Sequence, residues 1–206
     1  EEVGKDFISA ESIGRGTQDP HYIEAKPSFM VKANRADLLI SIGLDLEVGW
    51  LPSIIRGARN PKIISGQKGN LEVGPLVDPL EVQKGNITRS AGDVHPFGNP
   101  HVWLDPIRVG EIGIIIAKRL GELEVNHSPQ FAENAKALQS RLQAKVKTWQ
   151  ERIDRSGISK IVTYHKTLTY FFERFKLLNP IILEPKPGIP PTSGHILKVI
   201  ETIQAE

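Results

Sequence analysis

Three histidines occupy positions where a loop meets a strand or a helix, and such positions can direct an imidazole at a bound ion. His21 closes a loop rich in glycine and proline, His101 follows Pro100 just before a helix start, and His165 follows a strand. Pro100 has no backbone donor and disfavours helix at the residue before it, so His101 has a stiff approach. Three imidazoles brought to one cleft would form most of a tetrahedral zinc site. Histidine also suits iron, copper and nickel, whereas Mn²⁺ prefers more oxygen ligands.

Acidic residues near these histidines are candidates for holding the rings in place. A histidine that binds a metal usually donates its second ring N–H to a carboxylate or a carbonyl. We expect this role for three residues: Asp19, Glu24 and Asp105. Of the other histidines, His95 is expected to be exposed, with metal ligation as the less favoured alternative. We assign no site role to His127 and His195, which lie next to helix starts.

The composition excludes several classes of protein. The chain has 206 residues, 39% hydrophobic and 24% charged, which is ordinary for a globular domain. A net charge of +2 does not favour nucleic acid as a partner. No stretch approaches the roughly 18 apolar residues of a membrane span. Because the chain contains no cysteine, any metal must be held by His, Asp or Glu.

The first half of the chain alternates between helix and strand patterns. We predict a helix over 28–35, a buried strand over 37–43, a helix over 47–59 and a strand over 62–66. This alternation is typical of an α/β lobe. Residues 66–98 form a long loop rich in glycine and proline, and such loops usually have a function.

Two helices follow the segment NPHVWLDP (99–106). Asp105 and a proline after it predict a helix start, and the helix extends to about Leu123. The next helix, from Ser128 to about Arg155, has apolar residues three or four positions apart throughout. At about 1.5 Å per residue it is roughly 38 Å long, which is longer than one small lobe. We therefore predict an N-terminal α/β lobe (1–125), a linking helix (126–156) and a partial C-terminal lobe (157–206).

The C-terminal lobe repeats the alternation but has few strands. We predict strands over 160–164 and 180–183, helices over 167–175 and 192–204, and a stiff proline-rich loop over 185–191. A sheet of two strands is marginally stable, so the lobe is expected to be incomplete. We expect a monomer, with pairing of two copies through the truncated lobe as the alternative.

The order of the motifs resembles the zinc- and manganese-binding solute-binding proteins of bacterial ABC importers, the TroA-like family. The matching segments, in the family's order, are DPHYIEAKPS (19–28), ADLLISIGLDLEVGWL (36–51), GNPHVWLDP (98–106), TYHKTLTYFFERF (163–175) and EPKPGIPPTSGH (184–195). The resemblance implies two α/β lobes with central sheets, joined by one long rigid α-helix, with the ion held between the lobes.

The resemblance also implies a set of ligands. His21, His101 and His165 match the family's first three ligands, and a histidine at the third position favours Zn²⁺ over Mn²⁺. The family's fourth ligand is usually a carboxylate in a later loop, which we expect to lie beyond residue 206. The family also has an opening strand before DPH, so we expect the chain to be truncated at both ends. The histidine-rich loop of many zinc-binding members is absent.

The function implied by the resemblance is that of a receptor, not an enzyme. Such a receptor passes its ion to the permease of an ABC importer, and it is periplasmic or extracellular, with a lipoprotein anchor as an option. Because imidazole must be neutral to bind, affinity should fall below about pH 6.5. Two alternatives stay open: a zinc hydrolase using the three histidines and a bound water, and a surface adhesin of the same fold. The chain has no HExxH motif that would support the hydrolase.

Overall fold

A computed structural model describes residues 1–83, 95–158, 161–177, 181–184 and 189–204. Short 3₁₀ turns separate the regular elements. Those elements are, in chain order, α1 (Pro27–Arg35), β1 (Leu39–Ser41), α2 (Leu51–Ala58), β2 (Asn70–Glu72), α3 (Pro106–Leu123), α4 (Ser128–Ser156), β3 (Val162–Thr163), α5 (Thr169–Arg174), β4 (Ile181–Ile182) and α6 (Ser193–Gln204). Most of the predicted 185–191 loop, and residues 84–94 of the predicted 66–98 loop, lie outside the described residues.

The described strands form two parallel pairs. β1 lies beside β2 with Leu39 opposite Asn70, and β3 lies beside β4 with Val162 opposite Ile181. A helix stands between the two strands of each pair, as a parallel connection requires. The carboxyl ends of each pair therefore meet at one edge, where the following loops can converge.

The strand predicted over 62–66 is wrong. Residues Pro61–Ile63 form a 3₁₀ turn, and the strand that pairs with β1 lies further along, at β2. The side chain of Asn60 accepts a hydrogen bond from the Lys62 amide and donates to the carbonyl oxygens of Ala33 and Ala36. This buried amide fixes the turn, so the apolar residues after it cannot enter the sheet.

Helix α2 begins four residues later than the sequence pattern predicts. The carboxylate of Glu47 accepts hydrogen bonds from the amides of Ile42 and Gly43, at 2.8 and 3.0 Å. Leu44 and Asp45 have positive φ angles of 53° and 63°. Residues with left-handed backbone cannot belong to a right-handed helix. The helix therefore starts only after this turn. Burial raises the pKa of Glu47, against the hydrogen bonds from the backbone amides.

Helices α3 and α4 agree with the prediction to within one residue. Asp105 caps α3 by accepting a hydrogen bond from the Ile107 amide at 2.9 Å. Gly110 and Gly113 allow α3 to approach α4 closely, against Gln139 and Leu138. No helix in the described ranges is both long and apolar enough to cross a bilayer.

The long helix α4 packs at its beginning and is mostly solvated beyond it. Its buried residues lie in its first third: Phe131, Asn134 and Ala135. With 29 residues it is roughly 43 Å long, and it ends at Gly157, which has a left-handed φ of 69°. The division of the chain at residues 125 and 156 stays a prediction.

One hydrophobic cluster joins α5 to earlier parts of the chain. Leu44, Val77 and Val102 pack there with Tyr170 from α5, and all four are buried. Val102 directly follows His101, so this cluster supports the segment that holds the imidazole.

Candidate metal centre

His101 is buried and held by the residue two positions before it. The Oδ1 atom of Asn99 accepts hydrogen bonds from the backbone amide and from Nδ1 of His101, at 3.0 and 2.7 Å. The Nδ2 atom of Asn99 donates to the Lys166 carbonyl and to a Glu81 carboxylate oxygen, which fixes which end of the amide is the acceptor. His101 therefore carries its proton on Nδ1, and its Nε2 has a free lone pair.

His21 is held in the same way. The Oδ1 atom of Asp19 accepts from the backbone amide and from Nδ1 of His21, at 2.9 and 2.7 Å. Pro20 and Pro100 occupy the middle position of the two turns, Asp-Pro-His and Asn-Pro-His. Both turns thus place the proton on Nδ1 and leave Nε2 available, which is the tautomer that a metal ion needs.

The third histidine comes from the other parallel pair. His165 follows β3, and its Nδ1 lies 3.0 Å from an oxygen of Glu184, the second residue after β4. Glu184 is buried, and its own amide donates to the Tyr164 carbonyl at 2.8 Å. The pairing of β3 with β4 brings the imidazole and the carboxylate to the same sheet edge.

The three imidazole rings lie close together. The ring centres of His101 lie 5.6 Å from His21 and 5.8 Å from His165, and His21 lies 6.4 Å from His165. Zinc bound tetrahedrally at about 2.0–2.1 Å from each nitrogen would separate ring centres by about 5.2 Å. In the described part of the chain, no three His, Asp or Glu side chains yet surround an ion closely enough to hold it. The rings must therefore close inward slightly to bind.

His95 belongs to this cluster, although the sequence suggested an exposed position. It is half-buried, its ring centre lies 5.3 Å from that of His21, and the two Nε2 atoms are 3.2 Å apart. At this distance one Nε2 can donate a hydrogen bond to the other.

Burial and neighbouring imidazoles keep His101 uncharged. Desolvation, together with the smaller effects of His21, His165 and His95, lowers the pKa of His101 to about 3. Burial alone would raise the pKa of Asp19, but its hydrogen bonds from His21 outweigh that effect and lower it. At neutral pH the cluster therefore combines a neutral imidazole with a nearby carboxylate anion.

Asp105 and Glu24 do not hold a histidine as the sequence suggested. Asp105 is fully buried, caps α3, and accepts from Arg108 at 2.6 Å and from two nitrogens of Arg174 at 2.7 Å. Burial raises its pKa, but the hydrogen bonds from Arg174, the Ile107 amide and Arg108 prevail and lower it. Glu24 forms an exposed ion pair with Lys26. Their nearness in sequence to a histidine misled the prediction.

Helix α5 is bonded directly to the segment that carries His101. The Tyr170 hydroxyl donates to the Asn99 carbonyl at 2.6 Å and accepts from the Leu80 amide at 2.9 Å. The guanidinium of Arg108 lies 4.9 Å from the centre of the Tyr170 ring. Tyr170 is fully buried, so these bonds form a fixed link between the two parts of the chain that supply the histidines.

Comparison with known protein families identifies the family to which this chain belongs. The family model described as ZnuA, zinc-uptake complex component A, periplasmic, matches residues 1–206. The chain belongs to the ZnuA family. Curated relatives of this chain include proteins named as metal ABC transporter substrate-binding lipoproteins.

Two curated relatives and one solved structure illustrate what this ZnuA-family chain is similar to. The manganese ABC transporter substrate-binding lipoprotein scaA of Streptococcus gordonii is 28% identical over 98% of this chain and 63% of its own length. The zinc-binding lipoprotein AdcA of Streptococcus pneumoniae is 24% identical over 93% of this chain and 38% of its own length. The chain thus spans less than two thirds of the curated relatives it matches. A crystal structure of ZnuA has a TM-score of 0.79 at 23% identity, covering 99% of this chain and 73% of that one.

The solved structures confirm the TroA-like fold that the motifs implied for this ZnuA-family chain. The rings of the three predicted histidines lie near one another, and Asp19 contacts His21. Sequence reasoning missed two ring-holding residues, Asn99 and Glu184. The signal for Asn99 was present, because Asn-Pro-His repeats the pattern of Asp-Pro-His. Glu184 had no such local signal, because only strand pairing brings it to its histidine.

Proposed function

We propose that this protein is a receptor that captures a divalent metal ion, most favourably Zn²⁺, on the Nε2 atoms of His21, His101 and His165. It then delivers the ion to the permease of an ABC importer on the outer side of the cytoplasmic membrane. The observation that carries the proposal is that each Nδ1 already has an oxygen acceptor, supplied by Asp19, Asn99 and Glu184 respectively. Three imidazoles prepared in the same tautomer at one place are suited to a metal ion.

The ligand set supports zinc as the cargo. Neutral imidazole nitrogen is a good ligand for zinc, whereas manganese favours sites richer in oxygen. The acidic residues of the cluster, Asp19 and Glu184, are turned to the backs of the rings, where they balance the charge of the ion instead of binding it. The names of the relatives include both zinc and manganese, so they do not decide between the two metals. The preference for zinc rests on the ligand chemistry.

The same carboxylates favour a receptor over a hydrolase. A hydrolytic zinc site needs a metal-bound water and a nearby group to take up its proton. Asp19 and Glu184 each accept a hydrogen bond from a ligand imidazole, which commits them to positioning the ligands. We therefore assign the protein to binding and transfer.

A competition titration tests this proposal. Metal-free protein is titrated with Zn²⁺ against a chromophoric chelator, and we expect one tightly bound ion per chain. His21→Ala, His101→Ala and His165→Ala should each weaken binding on the order of 100-fold or more, because loss of even an outer hydrogen-bond partner costs about 10–100-fold. His127→Gln is the matched control, since His127 stacks on Phe7 away from the cluster. Absence of zinc binding, or equal affinities in all four variants, would contradict the proposal.

A further inference from the structure

The ring of His95 lies closer to His21 than the rings of His101 and His165 do. Their Nε2 atoms are 3.2 Å apart, and the ring centres are 5.3 Å apart. Two nitrogens bound to one tetrahedral zinc are separated by about 3.4 Å, and their ring centres by about 5.2 Å. The pair therefore already has the spacing of two ligands on a common ion.

The position of His95 is fixed by the turn that follows it. The Gly98 amide donates to the His95 carbonyl at 3.2 Å, and the Gln83 amide donates to the Pro96 carbonyl at 3.2 Å. Gly98 has a left-handed φ of 119°, and a Cβ there would lie 2.7 Å from Pro79. The turn therefore requires glycine at position 98, and it positions His95 at the edge of the cluster.

We propose that His95 is the fourth ligand of the metal ion, so that the site is closed by four imidazoles. The inference rests on the proposed function, because it requires that the other three histidines bind the ion. It adds a ligand from the segment before Asn99, on the side of the cluster next to His21.

The charges around the cluster suit a neutral fourth ligand. Asp19 stands behind His21 and Glu184 stands behind His165, so two carboxylates already face the two positive charges of a divalent ion. A fourth imidazole completes the coordination without adding charge.

Binding requires one proton to move. Because His21 carries its proton on Nδ1, its Nε2 accepts, and His95 donates from its own Nε2. When the ion enters, Nε2 of His95 gives up this proton and the buried Nδ1 of the same ring takes one up, so that both Nε2 lone pairs then face the ion. The ring stays neutral throughout, so no proton is released by this ligand.

A closed coordination shell distinguishes this proposal from the alternatives. With His95 bound, the ion has no open position for water, which is the arrangement of non-catalytic zinc sites. If His95 only positions His21, the fourth position is open to a water or to an added small ligand. These two cases differ in how the bound ion responds to a competing ligand.

Co²⁺ substitution reads this difference directly, because its visible absorption reports coordination geometry. The protein, His95→Ala and His95→Gln are each loaded with Co²⁺ and titrated with imidazole. We expect the unsubstituted protein to keep its spectrum unchanged, and His95→Ala to change on adding imidazole until it matches the unsubstituted protein. His127→Gln should behave as the unsubstituted protein. Zinc affinity should fall by at least about 10-fold in both His95 variants.

Each other outcome overturns a defined claim. If the unsubstituted protein responds to imidazole as His95→Ala does, or if both His95 variants keep its spectrum and zinc affinity, His95 is not a ligand and the receptor proposal stands. If the unsubstituted protein binds neither Co²⁺ nor Zn²⁺, the receptor proposal fails as well. Circular dichroism of the metal-free variants shows whether a loss of binding reflects a loss of fold.

Discussion

At the scale of single residues, the same hydrogen-bonded turn holds both His21 and His101. In both turns an Asp or Asn oxygen accepts from the histidine amide and from Nδ1, with proline between them. The proline fixes φ in the middle of the turn, so little entropy remains to be lost when the ring is ordered. His21, His101 and Asp19 could be predicted from the sequence because the residues of each turn are adjacent in the chain. The contact of Glu184 with His165 could not be predicted, and His95 was expected to be exposed, because chain segments distant in sequence bring these residues to the cluster.

Removing the oxygen behind a ring should weaken metal binding without removing a ligand. We expect Asp19→Ala to lower zinc affinity by about 10–100-fold, because His21 loses the acceptor that fixes its tautomer. Asp19→Asn keeps an acceptor oxygen and should lose less. The chelator competition titration measures both. Affinities of Asp19→Ala and the unsubstituted protein that agree within error would show that this hydrogen bond is irrelevant to binding.

The lowered pKa of His101 should make the free energy of unfolding of the metal-free protein depend on pH. Its pKa is about 3 in the folded chain, against about 6.5 in an unfolded one. Below pH 6.5 the unfolded state therefore binds more protons, so the free energy of unfolding falls as pH decreases from about 6.5 toward 3. Urea denaturation at a series of pH values measures this, with chelator present. His101→Gln should give a flatter profile over that range, and a profile of unchanged slope would contradict the assignment.

At the scale of elements, the helices followed their sequence signals more closely than the strands did. α3 and α4 have a cap or a proline at the start and a long apolar stripe, and both signals are local. The strand predicted over 62–66 failed because the buried amide of Asn60 closes a turn there, which is a tertiary effect. The described strands are two or three residues long, too short for periodicity to locate.

The attachment of α5 can be tested at one hydroxyl. Tyr170→Phe removes the donor to the Asn99 carbonyl and leaves the Leu80 amide without its acceptor, both in a buried place. We expect a loss of about 1–3 kcal/mol in the free energy of unfolding, measured by denaturant titration. Tyr164→Phe is the control because that side chain is 60% exposed. Equal losses in the two variants would argue against a specific role for the buried hydroxyl.

At the scale of the whole molecule, the candidate site is shared between segments on both sides of α4. His21 and His101 precede this helix and His165 follows it, while Tyr170 and Arg174 bond the later segment to Asn99 and Asp105. The fold class could be predicted from the alternation of elements and the order of the motifs. The contact between the two segments could not, because buried polar pairs have no periodic pattern in the sequence.

A ligand bound by both segments should stabilise the chain as a unit. At a free zinc concentration 100 times the Kd, binding adds about 2.7 kcal/mol to the free energy of unfolding. We therefore expect the thermal midpoint to rise with zinc in the unsubstituted protein and in His127→Gln. The same experiment on His101→Ala should show little change. Identical midpoints with and without zinc in the unsubstituted protein would contradict a receptor role.

The central claim is that imidazole nitrogens hold the ion, and X-ray absorption at the zinc edge tests it most directly. For the protein loaded with one equivalent of Zn²⁺, the account predicts nitrogen neighbours at about 2.0–2.1 Å and the outer-shell scattering of at least three imidazole rings. His101→Ala should lose one ring from that count. A spectrum dominated by oxygen neighbours, with no imidazole scattering, would contradict the claim.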